Sequence, residues 1–447
     1  MLLNKVQVIN FLYLASFTMY GVGKYLMKVG NYSVGNAIGL IPLLCIIIIW
    51  LLDIIINKKG VYFLLSGNYL LLLWFSVACM GALFVAYQHG HPGYNAVNIF
   101  SISFFVLAWF STSVIVQFYN IDDPEFSIAD ILYWGLTLLI LVNFIGYSAG
   151  LTNAVHAIPG RLNFPFASGF YSTANTVAII NLLIIERWYR GIDNPWMKAF
   201  TIVQFLTNLY LMVGFNSRLS IMVFIMIVII RVTRMVSFYP VLYILSFFTI
   251  PIIINLSDLI YKIFQLPLLS SVIRRLSYED VTGFNGRRDL WERGMEWFLN
   301  QGEGFLWGKG VTGHYYIGLL DDLAEFYNKT SALTFHMHSS LLEYLLSIGL
   351  VGTLPLLLLF YKCIKRAWSY QLTGHPDAIM LSVIVYLLFL FQVDGYVYFQ
   401  SLGSFIAFTL FSGLMVRKDL ETDPVVKTRP GTSTMKNKRS AGELVHS

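Results

Sequence analysis

The sequence predicts an all-α polytopic membrane protein with about 12 transmembrane helices, and three observations carry that prediction. Of 447 residues, 57% are hydrophobic and only 12% charged. Mean hydropathy is +0.67, far from the balance of a water-soluble domain. The apolar residues also fall in runs long enough to cross ~30 Å of hydrocarbon, and aromatics reach 16%, as interfacial belts require.

The expected spans are 7–27, 34–56, 68–87, 97–119, 128–148, 171–187, 196–214, 219–234, 239–256, 338–362, 377–395 and 398–416. The first follows a lone Lys5 and lacks a small-residue cleavage site, so it reads as a retained span and not a cleaved signal peptide. The spans at 196–214 and 219–234 are divided only by Asn216-Ser217-Arg218. Four regions follow: an N-terminal transmembrane bundle at 1–256, a large loop with short helices at 257–337, C-terminal transmembrane helices at 338–416, and a tail at 417–447. The tail is polar and aperiodic and is expected to be disordered. Cys45, Cys79 and Cys363 lie in or beside apolar runs without metal-ligand spacing, so no disulfide framework is implied.

Charge sets the expected orientation. Lys58, Lys59, Arg187, Arg190, Lys198, Arg231, Arg234, Lys362, Lys365, Arg366, Arg417 and Lys418 fall in alternate loops and the tail, which puts both termini in the cytoplasm. The net charge of +6 is accounted for by those orientation signals and does not point to nucleic acid. The large loop then faces the outer side. Within it, Leu290, Trp291, Met295 and Phe298 recur at helical spacing. Gly302, Gly304, Gly308, Gly310 and Gly313 predict a tight, turn-rich stretch. Where the chain returns to the membrane, Ser340 followed by Glu343 matches a capping box.

Four outward arginines, Arg161, Arg218, Arg287 and Arg288, oppose the inside-positive trend. Guanidinium stays charged, donates bidentate hydrogen bonds and is weakly hydrated, so arginine suits a diphosphate held without a metal. A blander account lets each snorkel or pair with Asp258, Asp289 or Glu292. His336 and His338 stand where the large loop meets a span, and a neutral imidazole there can take a proton from a hydroxyl. His338 is the stronger candidate, being nearer the helix start, while His314, His89 and His91 have no adjacent constellation in the sequence. No metal site is expected, since Asp321-Asp322 reads as solvated loop charge. Together these residues point to chemistry on an anionic, lipid-linked substrate.

At these residues the chain resembles the bacterial O-antigen ligase and polymerase family. His338-Ser339, nine residues, Gly349, two residues and Gly352 match that family's H-[NSQ]-x9-G-x-x-[GTY] signature. Asn216-Ser217-Arg218 resembles its Ser-Arg turn. Gly286-Arg287-Arg288-Asp289-Leu290-Trp291 with Leu306-Trp307-Gly308-Lys309-Gly310 resembles the centre of its large loop, and Gly160-Arg161-Leu162-Asn163-Phe164 through Asn175 a looser Arg…Asn pattern. The resemblance covers roughly residues 155–360. It implies a glycosyltransferase-C-like helical fold in the bacterial inner membrane, acting at the periplasmic face on an undecaprenyl-diphosphate-linked glycan donor and a glycan acceptor, with inversion and without a cofactor or required metal. Arg161, Arg218 and Arg287 or Arg288 would bind the diphosphate and His338 would activate or orient the acceptor hydroxyl; His336, two residues away, could hydrogen-bond or substitute on the reading of the residues alone. The doubled Arg287-Arg288 and the short loop near 149–170 depart from the family pattern.

The acceptor decides what such a transferase would be. A growing repeat-unit chain makes it a polysaccharide polymerase, lipid A-core a ligase, and a protein an oligosaccharyltransferase; the first is preferred, and partner proteins of polysaccharide assembly would then be expected. The competing class is a transporter, such as a lipid-linked sugar flippase. A transporter is expected to carry related halves and midplane polar sites, whereas here the polar candidates gather at one interface.

Overall fold

The computed structural model describes residues 4–57, 67–91, 94–123, 125–152, 161–167, 170–270, 277–329 and 331–416. The expected disordered tail, the basic Lys58 and Lys59, Gly160 and the Arg274-Arg275 pair lie outside the described residues. Among the described residues the chain is all-α, with no strand. In order, α1 is Lys5–Lys28, α2 Tyr32–Asn57, α3 Gly67–Gln88, α4 Ala96–Tyr119, α5 Ile128–Ser148, α6 Phe170–Arg190, α7 Pro195–Phe215 and α8 Arg218–Val232. Then come α9 Tyr239–Ser246, α10 Thr249–Asn255, α11 Ser257–Phe264, α12 Pro267–Ser270, α13 Tyr278–Thr282, α14 Arg287–Leu299, α15 Gly313–Tyr316 and α16 Asp321–Phe326. The last are α17 Ser340–Thr373, α18 Leu381–Val393 and α19 Leu402–Phe411.

Among the described residues, eight helices are long and apolar enough to cross a membrane, and a ninth forms if α8 and the following Met235–Ser246 segment, bent by 99°, are one broken span. The chain is a multi-pass membrane protein, with fewer long apolar helices than the dozen expected. Three segments account for the difference. The 239–256 run divides into α9 and α10, because Pro251 has no N–H and its ring would meet the carbonyl four residues back, ending the helix before it. Helix α6 has the length but not the apolarity: Asn175, Thr176, Asn181 and Glu186 are all buried along it. Leu402–Val416 is apolar but short. The last two are enclosed by other helices, so neither has to satisfy the bilayer by itself.

That enclosure explains where polarity is tolerated. Pro376–Val393 is 94% buried, against 28% for α7 and for Tyr32–Ile56, and α18 packs on α6, α8 and α17. Polar groups inside this centre meet one another: Asn208 donates to Asn181 at 2.9 Å and Tyr386 to Asn175 at 2.8 Å. Polar groups at membrane depth are kept when they face the bundle and pair there.

The helices run between two ends. One carries the 257–337 segment and is called the loop end. The other carries Arg187, Arg190, Arg231 and Lys362 and is called the basic end.

Candidate functional site

A cleft opens at the loop end, lined by Arg161, Arg218 and Arg287 together with Asn216, Phe284 and Trp291. Its remaining wall is apolar, built by Leu219 and Met222 of α8, Ile260 and Phe264 of α11, and Val281. Three arginines spread over more than a hundred residues of sequence are thus brought to one opening, and each arrives by a different local device.

Arg218 is the first residue of α8. Asn216 takes the left-handed conformation (φ +50°) that ends α7, and the chain restarts at once as α8. Asn tolerates that conformation better than most residues. Arg161 is pinned to the same corner, since Leu162 N–H donates to the Gly214 carbonyl at 3.0 Å. A side chain at Gly214 would strike Leu162, so the close approach needs glycine there. Arg287 is the first residue of α14, after Gly286 in a left-handed turn (φ +80°). It is buried, as are Leu290, Trp291 and Trp297 further along α14.

Two of the three arginines therefore sit at helix N-termini. Neither end is closed by its N-cap side chain: Gly286 has none, and the Ser217 hydroxyl bonds Ser220 at 2.7 Å instead. A cation at the positive end of a helix dipole is unfavourable by a few tenths of a kcal/mol, whereas an anion there is favoured. Guanidinium groups and the ends of α8 and α14 converging on one opening suit a multiply charged anion with an apolar appendage.

Arg288 goes elsewhere. It bonds Glu292 at 2.8 Å on the exposed side of α14 and does not line the cleft. The other carboxylates considered as partners for the arginines have their own donors, Tyr278 on Asp258 at 2.6 Å and Tyr327 on Asp289 at 3.1 Å.

His338 lies beside the cleft. Trp291, which lines it, donates from Nε1 to the His338 carbonyl at 3.4 Å. The residue is half-buried, with φ +50°, a left-handed conformation that costs a non-glycine residue about 1–2 kcal/mol. Burial, then the Arg287 charge, then His336, push its imidazole down to about 3. The ring is therefore neutral at physiological pH. His336, in contrast, is exposed, with Nδ1 3.9 Å from Glu343. The Asp321-Asp322 pair is solvated, as expected, and Asp322 meets Arg293. No three His, Cys, Asp or Glu side chains among the described residues are grouped closely enough to hold a metal.

The cap of α17 differs from the expected one. Ser339, not Ser340, is the N-cap and accepts Leu342 N–H at 3.2 Å. Ser340 instead donates to the Asp394 carbonyl at 2.7 Å, tying the helix start to the loop after α18. Glu343 reaches past the cap to accept Met337 N–H at 2.6 Å. The sequence spacing registered a cap but was one residue off, because Ser340 has a tertiary partner that spacing does not reveal.

The glycine pattern has a mechanical origin. Helix α17 is broken at Gly349 (φ +67°), and the Gly-rich strip of the large loop lies in the break. Leu350 and Val351 N–H donate to the Phe305 and Leu306 carbonyls at 2.9 and 3.1 Å, while Lys309 and Gly310 N–H donate to Leu346 and Ser347 at 2.8 and 3.0 Å. The four backbone groups freed by the break are thereby satisfied within the protein, the condition for non-helical backbone at membrane depth. A Cβ at Gly349 would strike the Leu306 carbonyl, and one at Gly308 that of Ser347.

Several residues escaped sequence reasoning. His314 was read as outward and isolated, but it is fully buried, and its ring is electrostatically coupled to Glu343, His336 and His91. Asp394 is buried below Arg287; burial raises its carboxyl above the usual range, against the pull of Arg287 and of Asn175, which bonds it at 3.1 Å. Phe284, Ile260 and Phe264 complete the cleft although nothing in their sequence context marks them. Only Glu343 carried a signal, through its capping-box spacing. No protein-family model matches this chain, and no curated protein matches it in sequence.

Proposed function

We propose that this protein is an inverting glycan transferase that moves a glycan from undecaprenyl diphosphate to an acceptor hydroxyl. The observation that carries the reading is the convergence of Arg161, Arg218 and Arg287 on one cleft whose other wall is apolar. A diphosphate joined to a polyprenyl chain has the matching halves, two adjacent charged groups and a long hydrocarbon. The histidine-glycine signature it shares with O-antigen ligases and polymerases supports the same assignment. In that reading the fold is glycosyltransferase-C-like, both termini are cytoplasmic, and the cleft faces the periplasm across the bacterial inner membrane.

The acceptor oxygen attacks the anomeric carbon as the bond from that carbon to the diphosphate oxygen breaks. Undecaprenyl diphosphate leaves with the electron pair, and the acceptor proton passes to His338. The arginines stabilise charge developing on the leaving oxygen, a contribution commonly worth ~2.7–4 kcal/mol per donor. His338 is a weak base, first because it is buried and then because of the Arg287 charge. Donor binding offsets that charge and raises the imidazole toward the range useful for proton transfer. Arg288, at the solvent side, has no part in the chemistry. No resident metal is required in this scheme, as in the family it resembles.

Polymerisation of polysaccharide repeat units is the preferred acceptor reaction. The test is transfer by purified protein supplied with a lipid-linked glycan, comparing wild type with Arg218→Lys. The lysine keeps the charge but loses the bidentate fork, so product formation is expected to fall at least ~100-fold. Wild-type turnover in Arg218→Lys would sink the diphosphate contact. Product on lipid A-core instead of on a repeat unit would make the protein a ligase.

A further inference from the structure

The chain holds His338 in a backbone conformation it does not favour, two residues before a helix, and something must fix it there. Three contacts do so. Trp291 donates to the His338 carbonyl at 3.4 Å, and Ser339 caps α17 through Leu342 N–H at 3.2 Å. The shortest is the third: Glu343 accepts the Met337 N–H at 2.6 Å.

Glu343 is an unusual group to find in that position. It is 3% exposed and lies one turn into α17, on the face turned back toward the 336–338 segment. A buried carboxylate is costly unless its oxygens are bonded, and a backbone N–H is the strongest neutral donor available to it. The groups facing it from other elements are His336 at 3.9 Å, His314 of α15, Tyr94 from the turn before α4, and Tyr398 from the loop after α18. Tyr398 is itself fixed by Ser347, at 2.7 Å. These groups act on the carboxylate electrostatically, and its link to the strained segment is a main-chain bond.

We propose that Glu343 is the positioning residue of the candidate base: by accepting the Met337 N–H it holds His338 in its left-handed conformation beside the arginine cleft. Glu343 does not touch the substrate in this scheme. Its bond fixes the His336–Met337 peptide, one residue ahead of the peptide that enters His338, and Trp291 fixes the carbonyl following the His338 Cα, so the short segment carrying the ring is anchored on both sides. The proposal rests on the transferase reading for its consequence, though not for its geometry. It has a specific corollary. The bond needs an acceptor oxygen and not a charge, so glutamine can replace glutamate, while leucine, of similar size, cannot.

The experiment pairs an activity-independent readout with kinetics on the full-length protein in detergent. Amide hydrogen exchange over residues 336–339 reports the Met337 N–H. In Glu343→Leu it should exchange about tenfold faster than in wild type, as expected for loss of one protecting hydrogen bond, while Glu343→Gln stays near wild type. In the transfer assay, Glu343→Leu should lose about a hundredfold in kcat, the scale of a misplaced catalytic group. Its donor KM should be unchanged because the arginine cleft is intact, and Glu343→Gln should restore kcat. Unchanged protection in Glu343→Leu overturns the clamp. Lost protection with normal kcat overturns its role in positioning, and a glutamine variant as damaged as leucine shows that charge, not the bond, matters. If Glu343→Leu fails to fold, Glu343→Met, which also lacks the acceptor oxygen, takes its place in both readouts. If wild type transfers nothing, the transferase reading falls by itself, and the exchange result alone judges the clamp.

Discussion

Helix α8 begins with one arginine and nearly ends with another, and the two have opposite surroundings. Arg231, at the basic end, makes two hydrogen bonds to Glu186, at 2.8 and 3.0 Å, and lies over the Tyr189 ring. Arg187 nearby meets Asp130, and Arg190 donates to the His375 carbonyl. At the loop end, roughly 20 Å away along the helix, Arg218 shares an opening with Arg161 and Arg287. One end of the bundle matches its arginines with carboxylates from neighbouring helices, a structural solution. The other brings three arginines to the lining of one cleft, an arrangement that suits an anion. The same residue type is thus paired within the bundle in one place and lines the candidate cleft in the other.

The sharpest way to break that contrast is to remove a carboxylate at the basic end. Glu186→Leu removes the carboxylate from half-buried Arg231 and leaves it only the Gln371 amide oxygen and the Tyr189 ring, a loss of about 2–3 kcal/mol, below that of a fully buried pair. The expected outcome is a clear fall in thermal unfolding temperature, read by fluorescence in detergent, with transfer per folded molecule retained. Normal stability would mean that the basic-end pairs are not structural. The loop-end counterpart, Arg218→Lys, should show the reverse, lost transfer with stability kept.

A smaller effect concerns pH. The His338 imidazole is held near 3 against an ordinary value of 6.5. The folded state therefore resists a proton that the unfolded chain accepts, so stability is full above 6.5 and declines as pH falls toward 3. His338→Asn should flatten that acid-side decline in unfolding temperature without changing stability at pH 7.5. An unaltered acid limb would place the shift on another group. The least effect is expected at Arg288, whose exposed pair with Glu292 is worth at most about 1 kcal/mol. Arg288→Ala should leave both stability and transfer close to wild type, and a large loss of transfer would mean that the wrong member of the pair has been assigned to the cleft.

Much of the site was legible in the sequence, because charge at a membrane boundary is expensive and stands out. Arg161, Arg218 and Arg287 were found by opposing the orientation rule, and His338 by its position where a loop meets a span. What the pattern could not do was choose between Arg287 and Arg288, since adjacent residues on a helix differ in direction by about 100° and only packing says which way is inward. His314 was misjudged for a related reason. Its neighbours in sequence are ordinary loop residues, while its neighbours in space, Glu343 and His336, come from elements more than twenty residues away.

The sequence by itself determined the membrane class, the two chemically distinct ends and the glycine positions, because each follows from hydropathy, charge or backbone freedom along a local stretch. The number of long apolar helices, the break that admits the 305–310 strip at Gly349, and the meeting of Arg161, Arg218 and Arg287 were decided only in three dimensions. A helix enclosed by protein, such as α6 or Leu402–Val416, is released from the rules of length and apolarity that the bilayer imposes. Sequence rules describe contact with lipid, whereas these features depend on which helices contact each other.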